Sequence, residues 1–287
     1  MRKIRAMMIG AHPDDCDLRC GGLAMKYADA GHTVKFLSLC DGSGGHQSMK
    51  RAEIAKRRYG EAQEVARKAG ITYDIWDVPD CEIVADIASR KRLTRDIRAF
   101  APDVIFCHRP NDYHADHRNA SLLVQDASYL LIVPNFCEDA PALEKMPVIV
   151  YFYDRFTNPP FSPDVIIATD DVVDRKFDLY DCHKSQFYEW LPYTAGKLGE
   201  VPADDAARRE WLHGIRVPRD GTLLTPETLE TMRTGSSCEA REAIQAALYR
   251  EKLIARYGKP YVFAESFEIC PYGSQPDADA LKELFPF

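Results

Sequence analysis

RAMMIGAHPDD (residues 5–15) and DVIFCHRPNDYHADH (residues 103–117) share one build: a short apolar run, then a loop crowded with histidine and carboxylate. The runs Arg5–Gly10 and Asp103–Cys107 are too short for buried helices and are closed by turn residues, which predicts two buried strands. Each acidic, histidine-bearing loop then sits at the carboxyl end of a strand.

The flanking chain fits that reading. Leu18–Ala30 has Leu18, Leu23, Ala24, Tyr27 and Ala28 at helical spacing, with Gly31 where a C-cap belongs. Gly21-Gly22 near its start predict close packing on a strand or close approach of a ligand. Thr33–Cys40 reads as a second strand, followed by the turn Asp41-Gly42-Ser43-Gly44-Gly45-His46. Ser48–Ala69 is a charged helix with an apolar stripe from Ile54 to Ala69, ended by Gly70. Ile71–Val78 is a third strand and Asp86–Phe100 an amphipathic helix. A helix is expected over His117–Leu131, strands over Val148–Tyr153 and Val165–Ala168, and a helix over Asp170–Gln186. This alternation predicts an α/β, Rossmann-like fold with a mostly parallel sheet and helices on both faces. In such sheets ligands bind beyond the carboxyl ends of the strands, where both histidine loops and the glycine-rich turn fall.

From about Glu189 the pattern changes. A polar stretch runs to Asp220, then a helix is expected over Ala240–Tyr257, a last strand within Pro260–Ile269, and a partly extended tail. The chain is therefore read as a core over residues 1–188 and a C-terminal extension over residues 189–287 packed on the same domain.

At 287 residues the chain can bury a full core without disulfides. The net charge of −7 argues against a nucleic acid or an anionic membrane surface as partner. It favours a neutral or cationic small molecule, unless a local patch overrides the balance. The nine cysteines are odd in number and form no Cys-x-x-Cys pair, which disfavours a disulfide framework or a four-cysteine zinc site. Reduced thiols and a cytoplasmic setting follow. No segment approaches the ~20 apolar residues of a membrane span, and the N-terminal apolar run is too short for a signal sequence. The glycine-rich turn invites a phosphate cradle, but it contains no G-x-G-x-x-G, and His-Pro-Asp-Asp beside it would repel a phosphate.

Catalytic zinc commonly takes three protein ligands from histidine and carboxylate and keeps a position for water. His12, Asp14 and Asp15 on one loop, and His114, Asp116 and His117 on the other, exceed that need. Two histidines and one carboxylate would fill the ligand set, leaving a carboxylate as base and a histidine as acid or electrophile. Alone, His-Pro-Asp-Asp reads as a turn; paired with His-x-Asp-His at a second strand end, it reads as a metal site.

Ala11-His12-Pro13-Asp14-Asp15 with Gly21-Gly22, and His108-x3-Asp112-x-His114-x-Asp116-His117, resemble the two signature motifs of the PIG-L/LmbE-like zinc-dependent N-deacetylases. Arg58-x-x-Glu61, Lys176 and His183-Lys184-Ser185-Gln186 agree more weakly, and the likeness spans roughly residues 4–187. It implies one zinc per chain held by His12, Asp15 and His117, with Asp14 as general base. It implies His114 as acid or oxyanion stabiliser and Asp116 as the group orienting a histidine. Arg58, fixed by Glu61, would reach the substrate, with Arg57 as its competitor, and His183 and Asp112 are further substrate-side candidates. The implied reaction removes the acetyl group of an N-acetylated amino sugar or its conjugate, in a homo-oligomer. Rivals are a carbohydrate-binding protein that uses the metal without chemistry, and a metal-dependent esterase. One departure stands out: the family usually has Glu directly after the two aspartates, and here Cys16-Asp17 follow.

Overall fold

The computed structural model describes residues 2–233 and 238–287. Its centre is one sheet of β1 (Arg5–Gly10), β2 (Thr33–Ser38), β3 (Thr72–Ile75), β4 (Val104–Cys107), β5 (Val148–Phe152), β6 (Val165–Ala168) and β7 (Ala264–Gly273). The strand order is β3-β2-β1-β4-β5-β7-β6. β1 to β5 pair in parallel, while β7 runs antiparallel to both neighbours. The last strand thus enters the middle of the sheet between β5 and β6, so the sheet draws on chain from both sides of residue 188.

Burial explains the strands. Ala6 and Met8 of β1, Val104 and Phe106 of β4, and Val148 and Val150 of β5 enter one core cluster. The intervening Met7, Ile9, Ile105, Cys107, Ile149 and Tyr151 enter another, on the opposite face. A period-2 chain with both faces covered must be apolar at every position, which is why these runs show no polar alternation.

The covering helices are α1 (Asp15–Asp29), α2 (Arg51–Ala69), α3 (Ile87–Phe100), α4 (Ala115–Leu130) and α5 (Val173–Cys182). Their ends follow local chemistry. Gly70 closes α2 in a left-handed conformation, and the Asp86 side chain accepts from Ser89 N–H to start α3. Inside α1 the backbone is non-helical at Cys20. Past that break, Gly22 and Leu23 N–H donate to the Glu265 carboxylate of β7, each at 2.8 Å. A Cβ on Gly22 would come within 2.9 Å of Glu265 and Thr169, so the close packing expected of Gly21-Gly22 is against a strand.

The later helices are α6 (Leu191–Thr194), α7 (Asp205–His213), α8 (Pro226–Met232), α9 (Cys238–Leu248), α10 (Arg250–Tyr257) and α11 (Ala278–Leu284). The helix expected over Ala240–Tyr257 is divided at Tyr249, and the partly extended tail continues β7 to Gly273 and then also carries α11. Hydrophobic periodicity does not reveal α7 and α8, which are short and set by the capping side chains of Asp204 and Thr225. Among the described residues no helix is long and apolar enough to cross a membrane.

Candidate metal centre and active site

β1 and β4 are neighbours, while the chain after β1 first winds through β2 and β3 on the other side. The strand order reverses between β1 and β4, and the crevice at their carboxyl ends is the fold's ligand position. The loops 11–15 and 108–117 leave there side by side.

Nδ1 of His12 lies 3.2 Å from Nε2 of His117. Asp15 lies 3.4 Å from each, through Oδ2 to His12 and Oδ1 to His117. The outward nitrogens are committed elsewhere. His12 Nε2 faces Asp80 at 3.2 Å and Asp116 at 3.4 Å, and His117 Nδ1 faces Asp112 at 3.0 Å. A neutral imidazole carries one N–H, and a carboxylate partner fixes it on the outward side. Both inward nitrogens then present lone pairs to each other. Asp15 Oδ2 accepts Ala11 N–H at 3.0 Å and His12 N–H at 2.8 Å, which leaves Oδ1 for the same space. Ligands of a tetrahedral ion with bonds of ~2.0–2.1 Å stand about 3.4 Å apart. The donor set fits a zinc-class ion.

Without an ion the two histidines favour their protonated forms. Burial opposes charge on His117, but the Asp15 charge and bonds to Asp112 and Asp15 outweigh it and raise its pKa to about 9. His12 is likewise raised against burial by Asp116, Asp15 and Asp80. Asp15 is held well below the carboxylate range, against burial, by His117 and His108. A bound dication displaces these protons.

The His114 ring caps α4: its Nδ1 accepts Asp116 N–H at 3.1 Å. The ring proton of a neutral His114 therefore sits on Nε2. Burial and the charges of His12 and His117 hold its pKa below the ordinary histidine value, so it is a neutral N–H donor. His114 also forms a compact donor group with His12 and His117, so the ligand count includes it as an alternative.

Asp14 lies beside Asp15, 3.0 Å from Nη2 of Arg58. Arg58 is buried and also donates to Gly42 O at 3.2 Å. Gly42 has φ +66°, and a Cβ there would collide with the guanidinium. The glycine-rich turn admits an arginine here. Arg57 points elsewhere, to Glu189 and to Glu61 at 3.2 Å. The expected Glu61 support of Arg58 is not what the structure has: Glu61 accepts from Ser185 and pairs with Arg57. Arg58 instead reaches into the crevice, where Asp14 and Gly42 O take its guanidinium.

His12, Asp14, Asp15, Arg58, His114 and His117 line one cavity of about 810 Å³. Asp116 is buried beneath it, taking Cys81 N–H at 2.8 Å and facing His12. Two expected substrate contacts are not at the wall. Asp112 is buried against His117 Nδ1 and His114 N–H, where it orients a ring. His183 is fully buried, with Nε2 3.2 Å from Asp17, because the end of α5 turns it under α1. Gln186 does reach the cavity. Cys16 points into the core, its thiol 3.3 Å from Met8 O.

Asp80 escaped the sequence reading, and His108, quoted there within the second motif, was given no role. Asp80, after β3, holds His12 and Gly44 N–H. Its signal was an acid on a third loop at the same sheet edge. His108 stacks on His117 at 4.0 Å and lies 3.1 Å from Asp15. Burial and the His117 charge push its pKa down to about 4. All nine cysteines are free thiols.

The family model described as PIG-L: GlcNAc-PI de-N-acetylase matches residues 7–128, which span both loops. The diacetylchitobiose deacetylase of Thermococcus kodakarensis is 30% identical over 204 residues, covering 66% of this chain and 74% of that protein. The chain belongs to the PIG-L family of de-N-acetylases. This PIG-L chain is also 24% identical over 197 residues to 4-oxalmesaconate hydratase of Pseudomonas putida, covering 66% and 76% of the two chains. Among solved structures, the N,N'-diacetylchitobiose deacetylase of Pyrococcus horikoshii superposes with a TM-score of 0.66 at 23% identity. The match covers 97% of this chain and 85% of that one, and it bears on fold alone.

Proposed function

We propose that this protein is a zinc-class metal-dependent hydrolase that removes the acetyl group from an N-acetylated amino sugar or its conjugate. The observation that carries the reading is the triangle of His12 Nδ1, Asp15 and His117 Nε2, 3.2–3.4 Å on a side, in the same cavity as Asp14 and His114. The diacetylchitobiose deacetylase likeness supports the substrate class.

His12, Asp15 and His117 would hold the ion, with Asp80, Asp116 and Asp112 fixing the two rings. When bound, the ion supplies Lewis acidity that polarises the amide carbonyl and acidifies an attacking water. Asp14 takes the proton of the attacking water, with its carboxylate held in place by Arg58. The Nε2–H of His114 donates to the oxygen that becomes negative as the carbonyl carbon turns tetrahedral. The departing nitrogen then takes a proton from within the same pair of groups.

Acetate release from N-acetylglucosamine, N,N'-diacetylchitobiose and their glycosides, with and without a chelator, tests the reading. Chelator-sensitive release supports it. The hydratase among the relatives makes the competing result concrete. Loss of ultraviolet absorbance from an unsaturated tricarboxylate, with no acetate from any amide, would replace deacetylation by water addition.

A further inference from the structure

On a chain of net charge −7, the cavity is lined by four arginines besides Arg58. Arg19 from α1, Arg155 after β5, Arg233 after α8 and Arg241 in α9 all line it. Arg19 donates to Tyr153 O at 2.8 Å and makes no ion pair, and Arg241 is exposed and makes none among the described residues. Arg155 and Arg233 share the single carboxylate of Glu230. The carboxylates in the same wall are already engaged: Asp154 takes Arg109 at 2.8 Å, and Glu242 takes Lys176 and Tyr180, each at 2.6 Å. Among the described residues, the four guanidinium groups therefore have one carboxylate, that of Glu230, as an ion-pair partner.

Arginine is the side chain suited to fork-like recognition of carboxylate and phosphate. The volume of about 810 Å³ is at the upper end for a small-ligand pocket, and leaves room beyond an amide placed at His12 and His117. Three of the four arginines come from chain beyond β5, outside the residues matched by the family model.

We infer that Arg19 and Arg241, backed by Arg155 and Arg233, bind an anionic group, a carboxylate or phosphate, carried by the substrate beyond the amino sugar. This rests on the deacetylase reading for the position of the amide. Net charge points to a neutral or cationic substrate, but four separate chain segments bring arginine to this one cavity.

The test is calorimetric binding of three probes to metal-loaded Asp14→Asn protein, which keeps the amide intact. The probes are methyl N-acetylglucosaminide, its carboxymethyl counterpart and N-acetylglucosamine 1-phosphate. At low salt, one or both anionic probes should bind about tenfold tighter than the methyl glycoside, and the tighter of the two names the group. Arg241→Gln and Arg19→Gln should each remove most of that preference and leave the methyl glycoside unchanged. Equal binding of all three probes overturns the proposal. So does a preference that survives both variants, because it would then belong to the metal centre. Failure of the deacetylase reading is separate: wild-type protein would release no acetate from any probe, whatever the binding preference.

Discussion

Nη2 of Arg58 lies 3.0 Å from Oδ2 of Asp14, next in sequence to the carboxylate that faces His12 and His117. The pair sets the position of the proposed base. Asp14→Asn should keep metal content near wild type and lower turnover by about 10²–10⁴-fold, the usual weight of a general base. Acetate release and elemental analysis on the same preparation check both. Full activity in Asp14→Asn would remove it from the mechanism.

The donor triangle makes a claim about stoichiometry. Wild-type protein should carry about one zinc-class ion per chain, and His12→Ala or His117→Ala should bring that near zero. Asp112→Asn should weaken metal affinity by about 10–100-fold, since it only orients the His117 ring. His114→Ala should cut turnover and spare metal content; parallel loss of both would move His114 into the ligand set.

Gly42→Ala tests the arginine passage through the glycine-rich turn. The added methyl would meet the Arg58 guanidinium at a residue with φ +66°, where a Cβ is itself strained. Turnover should fall with metal content unchanged, because Arg58 must shift away from Asp14. A variant as active as wild type would mean that Arg58 is not fixed by this contact.

Lys176 is fully buried between Glu242 and Glu265, at 2.6 and 2.7 Å. Removing one member of a buried charge group strands the others. Lys176→Met should lower stability by about 3–5 kcal/mol, read by denaturant unfolding. An effect below about 1 kcal/mol would show that the carboxylates protonate at no cost.

Glu239 is buried and accepts from His213, Arg216 and Val217 N–H. Burial opposes its charge, but those bonds win and lower its pKa to about 2. A depressed carboxylate contributes stability above its unfolded pKa and loses it as pH falls toward the folded value. The window is therefore pH ~4.5 down to ~2, and the contribution is about 2 kcal/mol after allowance for solvent screening. Glu239→Gln should flatten the stability–pH profile in that window and nowhere else. An unchanged profile would exclude Glu239 as the source of acid sensitivity.

Much of the catalytic end was legible in the chain. Residues 6–9 and Val104–Cys107 are apolar at every position because both sheet faces are covered, and a run of that kind can be recognised without coordinates. The loops following them hold all three proposed ligands, so the metal chemistry and the family could be read from two short segments. The choice between Arg57 and Arg58 was not legible. Adjacent residues on a charged helix differ only in the direction they face, and that depends on what α2 packs against.

By itself the sequence determined the strand-and-helix alternation and the residue types at the strand ends, because these follow from local periodicity and from turn chemistry. Tertiary structure alone decided which groups meet. It placed β4 beside β1 so that His117 faces His12, brought Asp80 and His108 to the same rings, and turned His183 and Asp112 away from the cavity. It also carried β7 into the sheet and gathered four arginines from separate segments around one cavity. The physical reason is that contacts between separate segments are set by strand order and helix packing, and no local pattern in the chain encodes either.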